Sequence, residues 1–153
     1  MSTSRHIDTM TDYQCMYCEK GEKLKSLMTY ICDVDGFPLY LNHNQTLPGR
    51  VILCCDKHIP KIADLTCEQA TAYFAAVHKT VRALTAVYMP DQINIGMYGD
   101  TVTHVHCHIV PKYKDKTDWN NVFQMNPQPP VKLNEDELAK NVELIQAAVE
   151  KIK

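Results

Sequence analysis

The hydrophobic positions of the chain follow two rhythms. Between Leu65 and Tyr88, the residues Ala70, Phe74, Val77, Val81, Leu84 and Tyr88 recur at steps of three and four, the period of one helix face. Thr66, followed by Glu68 and Gln69, supplies a start signal, and Pro90 supplies a stop. Leu138, Val142, Leu144, Ile145 and Val149 predict a second helix over 134–152. Elsewhere the apolar runs are of strand length, at 28–32, 37–41, 50–55, 92–97 and 104–111. The first two flank Asp33-Val34-Asp35-Gly36, whose Asp-Gly is a strong hairpin signal. The charged stretch 19–25 reads as one or two helical turns, and Asn126-Pro127-Gln128-Pro129-Pro130 as an irregular connection. This order predicts the α+β class, an antiparallel meander sheet interrupted by one long helix and closed by a C-terminal one.

Composition narrows the possibilities. A chain of 153 residues fits a single domain over 1–153, with the polar residues 1–12 expected to fray. A net charge of -2 and a pI near 6.4 give no whole-molecule attraction to nucleic acid or to an anionic membrane, so local groups must hold any anionic ligand. The N-terminus has no apolar core of a signal peptide, and no run approaches the roughly 18 to 20 apolar residues of a membrane helix. The expectation is a cytoplasmic protein. Seven cysteines (Cys15, Cys18, Cys32, Cys54, Cys55, Cys67 and Cys107), odd in number and scattered, fit reduced thiols better than a disulfide framework.

The run Thr101-Val102-Thr103-His104-Val105-His106-Cys107-His108-Ile109-Val110-Pro111-Lys112 carries the chemistry. On a strand, His104, His106 and His108 point one way and Val105, Cys107 and Ile109 the other, with successive imidazoles roughly 6.5 to 7 Å apart. Burying the apolar side leaves the imidazoles together on a surface that needs a use. Neutral imidazoles can ligate a divalent metal, or one nitrogen can attack phosphorus while its neighbours bind the phosphate and assist the leaving group. Separately, Cys15-x-x-Cys18 is a zinc signal that needs two further ligands. Cys54, Cys55 and Cys107 read as packing residues, and His43 and His78 as a loop residue and a helix flank.

His104-Val105-His106-Cys107-His108-Ile109-Val110 resembles the signature of the histidine triad (HIT) superfamily, and Pro48-Gly49-Arg50-Val51-Ile52-Leu53 with Lys57-His58-Ile59 resembles its central strand and exit. The resemblance covers roughly 15–115. It implies a hydrolase acting at the α-phosphate of nucleoside phosphoramidates, dinucleoside polyphosphates or related conjugates, with a purine nucleotide or nucleotidyl conjugate as partner. It makes His106 the nucleophile of a covalent nucleotidyl-histidine, with His108 and Thr101 contacting phosphate oxygens or helping the leaving group. It places Asn42 where the family contacts a ribose. The zinc-containing branch implies a structural zinc held by Cys15, Cys18, His58 and His104, and the family implies a homodimer through the long helix and a neighbouring strand. A nucleophilic imidazole must be neutral, so activity is expected to fall below about pH 6.

The sequence departs from the family pattern at three places. Arg50 stands where many relatives have histidine, Asp100 where glutamine is common, and Lys112 where arginine is frequent. Asn94-Ile95-Gly96 resembles the loop carrying a phosphate-contacting asparagine. Two other readings remain open. One is a metal-dependent phosphohydrolase with Asp100 and the histidines as ligands; the other is a low-turnover nucleotide-binding regulator. By position, Trp119 is a candidate for the leaving-group side.

Overall fold

The two rhythms fold into a five-stranded antiparallel sheet with helices on both faces. The computed structural model describes residues 15–116 and 118–152, so the segment 1–12 expected to fray lies outside the described residues. Two short helices, α1 (Met16–Glu19) and α2 (Glu22–Leu27), lead into strands β1 (Met28–Val34), β2 (Phe37–Asn42) and β3 (Val51–Cys54). A 3-10 turn at Ile62–Asp64 precedes helix α3 (Cys67–Tyr88), after which come β4 (Gln92–Gly96), β5 (His106–Lys112) and helix α4 (Glu135–Lys151). The sheet order is β1-β2-β3-β5-β4, which makes β5 internal although it is the last strand in sequence.

Local chemistry explains the joints. The β1–β2 turn has Asp35 at φ 51° and Gly36 at φ 94°, the two left-handed residues that a two-residue turn matched to strand twist requires. Thr66 caps α3 by accepting from the Gln69 amide at 3.1 Å, while Gln69 accepts from the Thr66 amide at 2.9 Å. Asn134 and Glu137 form the same reciprocal pair at the start of α4.

Each face of the sheet has its own core. Val51 pairs with Ile109 and Leu53 with Cys107, and these face Tyr73, Ala76, Leu84, Ile145 and Val149 of α3 and α4. Ile52 pairs with His108 and Cys54 with His106, and this opposite face is covered by Tyr17, Leu24, Met28 and Tyr40. The structure differs here from the sequence reading, which left the imidazole face open: His104, His106 and His108 are only 2%, 6% and 7% exposed.

The stripe of α3 is also rotated from the one its largest residues suggested. Tyr73, Ala76, Val77, Thr80, Ala83 and Leu84 are buried, and Phe74 is 46% exposed. Small residues allow close approach to the sheet, and Tyr73 anchors that face by donating from its hydroxyl to the Leu53 carbonyl at 2.8 Å. Leu144 of α4, read as core, is exposed for the same reason of helix rotation. Strand β5 begins at His106, two residues later than the alternation suggested, because the Val105 amide bonds the Ile59 carbonyl at 2.8 Å and turns the preceding backbone toward the segment after β3.

Gly49 sets the entry of β3. Its φ is +80°, and a Cβ there would lie 2.8 Å from the Tyr88 ring and 3.0 Å from Pro111. Gly49→Ala is expected to destabilise the fold by about 2 kcal/mol or more, from backbone strain plus overpacking. Urea unfolding would show it as a lower midpoint at unchanged m; an unaltered midpoint would mean that the turn relaxes freely.

Candidate functional site

The N-terminal segment, the exit of β3 and the approach to β5 meet at one point. Cys15 Sγ lies 3.4 Å from His104 Nδ1, and Cys18 Sγ lies 3.4 Å from His58 Nδ1 and 3.6 Å from His104 Nδ1. One ligand atom from each of these four residues falls within 4.8 Å of every other. Tetrahedral zinc with sulfur at 2.3 Å and nitrogen at about 2.05 Å puts S and N about 3.5 Å apart, so the donor set fits that ion in type, number and spacing. His104 Nε2 donates to the Cys55 carbonyl at 3.0 Å, which leaves the Nδ1 lone pair facing the thiols. Among the described residues this is the one group of His, Cys, Asp and Glu with metal-ligand spacing. Asp100 sits exposed in the loop before β5 and does not join the histidines, so the arrangement required by a catalytic metal held by Asp100 is not formed.

The same backbone orients His106. Its Nδ1 is 2.6 Å from the His104 carbonyl oxygen, so Nδ1–H donates and the lone pair is on Nε2. Tyr17 packs its ring 5.1 Å from that of His106 and 5.2 Å from that of His104, walling off one side. On the other side a cavity of about 320 Å³ opens beside His106, bounded by Lys61, Tyr98 and Asp100.

His108 lies next along the strand, its ring centroid 5.3 Å from that of His106 in an edge-on arrangement. Arg50, at the start of β3 and 2% exposed, donates from NH2 to His108 Nδ1 at 3.0 Å and from NH1 to the Met125 carbonyl at 2.6 Å. NH2 also lies 2.9 Å from the Met125 thioether sulfur, and the guanidinium sits 5.8 Å from the Phe123 centroid. Gly96 pairs with His108, and its missing side chain makes room for Tyr98 and Phe123 over the imidazole, since a Cβ there would come within 2.6 to 2.9 Å of both.

Of the residues singled out in the sequence, Cys15, Cys18, His58 and His104 converge, and His106 and His108 stand beside them. Asn94 lies within β4 rather than in a loop, opposite Val110 on the imidazole face. Asn42 ends β2, where its Oδ1 accepts from the Asn44 amide at 2.8 Å. Thr101 is exposed, with no hydrogen bond to either imidazole among the described residues. Trp119 lines a separate cavity with Asn94 and Lys112. The sequence reading missed Tyr17, Phe123 and Met125 as walls of the site. An arginine at the head of an apolar strand was the available signal, because a buried guanidinium demands partners.

Burial lowers the pKa of His106, against the opposing effect of its bond to the His104 carbonyl. His108 is pushed down to about 3 by burial, then by the Arg50 charge and His106. His108 therefore remains neutral well below pH 6, and the downward shift of His106 moves any acid loss of imidazole function in the same direction.

Comparison with known proteins places these features in a family. The HIT domain family model matches residues 25–115. The bis(5'-nucleosyl)-tetraphosphatase (asymmetrical) of Schizosaccharomyces pombe is 34% identical over 80 residues, covering 49% of this chain and 44% of that protein. The chain spans about half the length of the curated relatives it matches. Among solved structures, a histidine triad protein from Marinobacter aquaeolei superposes with a TM-score of 0.76 at 22% identity, covering 87% of this chain and 96% of that one. A Zn-bound histidine triad family protein from Mycobacterium smegmatis has a TM-score of 0.63 at 20% identity, covering 92% and 96%. Both show that the fold is shared. Among the described residues, no helix is long and apolar enough to cross a membrane.

The low pKa of His108 has a stability consequence. Below about pH 6.5 the unfolded chain takes up a proton that the folded chain refuses until about pH 3, so stability is full above pH 6.5 and falls with acid. At pH 5 the loss is about 2 kcal/mol, or roughly 5 °C in Tm. Thermal melts at pH 7.5 and pH 5 are expected to show this drop in wild type and a smaller one in His108→Phe; equal drops would remove His108 as its source.

Proposed function

Because the chain belongs to the HIT domain family, we propose that it is a hydrolase of nucleotidyl conjugates, dinucleoside polyphosphates foremost, working through a covalent nucleotidyl-His106. The observation that carries this reading is the His106 Nδ1 bond to the His104 carbonyl, which leaves a neutral, lone-pair-bearing Nε2 beside an open cavity. In this reading Nε2 attacks the α-phosphorus, the bond to the departing group breaks with its electron pair, and water then cleaves the phosphorus–nitrogen bond to restore His106. His108 contacts a phosphate oxygen. Arg50, which has no carboxylate partner among the described residues, adds positive charge beside a developing anion. Thr101 for the phosphate oxygens or the leaving group, Asn42 for the ribose and Asn94 on the imidazole face complete the assignment. The tetraphosphatase and triphosphatase names of the curated relatives support the substrate class.

Cys15, Cys18, His58 and His104 would hold a structural zinc, which supplies stability and leaves His106 and His108 free. A homodimer agrees with β4 as a sheet edge carrying the exposed Ile95, and with the exposed Phe74 on α3.

Two measurements test these assignments. In acid-quenched reactions with diadenosine tetraphosphate, intact-mass spectrometry should show wild type gaining one nucleotidyl group and His106→Ala gaining none, with turnover of His106→Ala down by about 10⁴-fold or more. Turnover without an adduct would sink the covalent reading, and nucleotide binding without turnover would favour a binding protein. Elemental analysis of purified protein should find about one zinc per chain, absent from the Cys15→Ser, Cys18→Ser double variant, whose Tm should fall by roughly 10 °C. Chelation that abolishes activity while leaving Tm unchanged would contradict a structural role.

A further inference from the structure

Arg50 occupies the centre of the site, and its chemistry constrains its neighbour. A guanidinium carries only donors and stays protonated in proteins. His108 Nδ1, 3.0 Å from NH2, must therefore accept, so the proton of a neutral His108 resides on Nε2. Protonating His108 would set an imidazolium N–H against a guanidinium N–H, two donors and two positive charges in a buried space. Arg50 cannot turn away easily, because NH1 is tied to the Met125 carbonyl at 2.6 Å and the guanidinium is packed near Phe123.

We propose that Arg50 is a positioning residue that locks His108 as a neutral imidazole with its proton on Nε2, so that His108 donates a hydrogen bond to the phosphate but gives no proton to the leaving group. The inference rests on the hydrolase reading above and specifies which substrates that site prefers. His106 Nε2 forms the bond to phosphorus as the bond from phosphorus to the departing group breaks. When the bridging atom is an oxygen of a polyphosphate, the electron pair stays on that oxygen as a stabilised anion and no acid is needed. When it is nitrogen, the pair requires a proton. His108 could provide one only by becoming an imidazolate, and the N–H of a neutral imidazole is a far weaker acid than any group that titrates near neutrality. The site therefore favours polyphosphates over phosphoramidates. A histidine at position 50 imposes no such rule, since an imidazole can accept as well as donate and can pass a proton to His108.

The test compares kcat and KM for diadenosine tetraphosphate and adenosine 5'-phosphoramidate in wild type and Arg50→His. The expected result is that Arg50→His raises the phosphoramidate-to-tetraphosphate ratio of kcat/KM by about tenfold or more, through kcat, within the range that a general acid supplies. An unchanged ratio, or a change in KM alone for both substrates, overturns the proposal. Nitrogen NMR of wild type at pH 7.5 provides an independent reading should the variant fold poorly. Protonated Nε2 and unprotonated Nδ1 on His108 support the lock; the opposite tautomer or an imidazolium overturns it. Absence of turnover on both substrates would refute the hydrolase reading and would leave the tautomer measurement to decide the role of Arg50.

Discussion

Every residue of β5 is buried, although three of its seven side chains are polar or cationic. A polar group removed from water without a partner costs several kcal/mol, so each of these side chains must find one, and the partners come from remote parts of the chain. His106 takes the carbonyl of His104, His108 takes Arg50, and Lys112 takes the Asp118 carboxylate together with the carbonyls of Asp118 and Asn121. Arg50 in turn takes Met125. The polar residues of one strand thus draw the segment 118–125 over the sheet and fix where its walls stand. Fold and site share one set of interactions, and a change in the site registers as a change in stability.

The elements were largely legible because they rest on local chemistry. The Asp35-Gly36 turn, the Thr66 and Asn134 caps and the alternation of β5 are short-range signals, and the structure places strands and helices within a few residues of them. The faces were less legible. Phe74 and Leu144 are large and apolar yet exposed, while Thr80 and Ala83 are buried, because a helix against a sheet selects small residues for close approach. That choice belongs to the partner surface and cannot be read from the helix alone. The imidazole face was misread for a related reason: nothing in the alternation announces that Tyr17, some ninety residues earlier, returns to cover it.

The metal-type quartet shows the same division. Cys15-x-x-Cys18 is a local signal, whereas His58 and His104 were assigned through family resemblance, and the structure brings all four together. The gathering has a structural consequence without reference to any ion. It fastens α1 to the start of β5, and α1 carries Tyr17 across the His106 ring. The N-terminal segment therefore forms a wall of the site, and loosening it would expose His106 to water from a second side.

The two histidines of β5 are the same residue on the same face, two positions apart, and their surroundings give them opposite polarity. His106 meets an acceptor at Nδ1 and presents a lone pair at Nε2; His108 meets a donor at Nδ1 and carries its proton at Nε2. In the proposed reading, a lone pair beside a fixed N–H donor supplies one group for phosphorus and one for its oxygen. Neither burial nor the strand's alternation distinguishes the two rings, since both apply equally. The distinction comes from a backbone carbonyl released where β5 has not yet begun and from a guanidinium at the head of β3, which is why the departure at position 50 matters more than its single contact suggests.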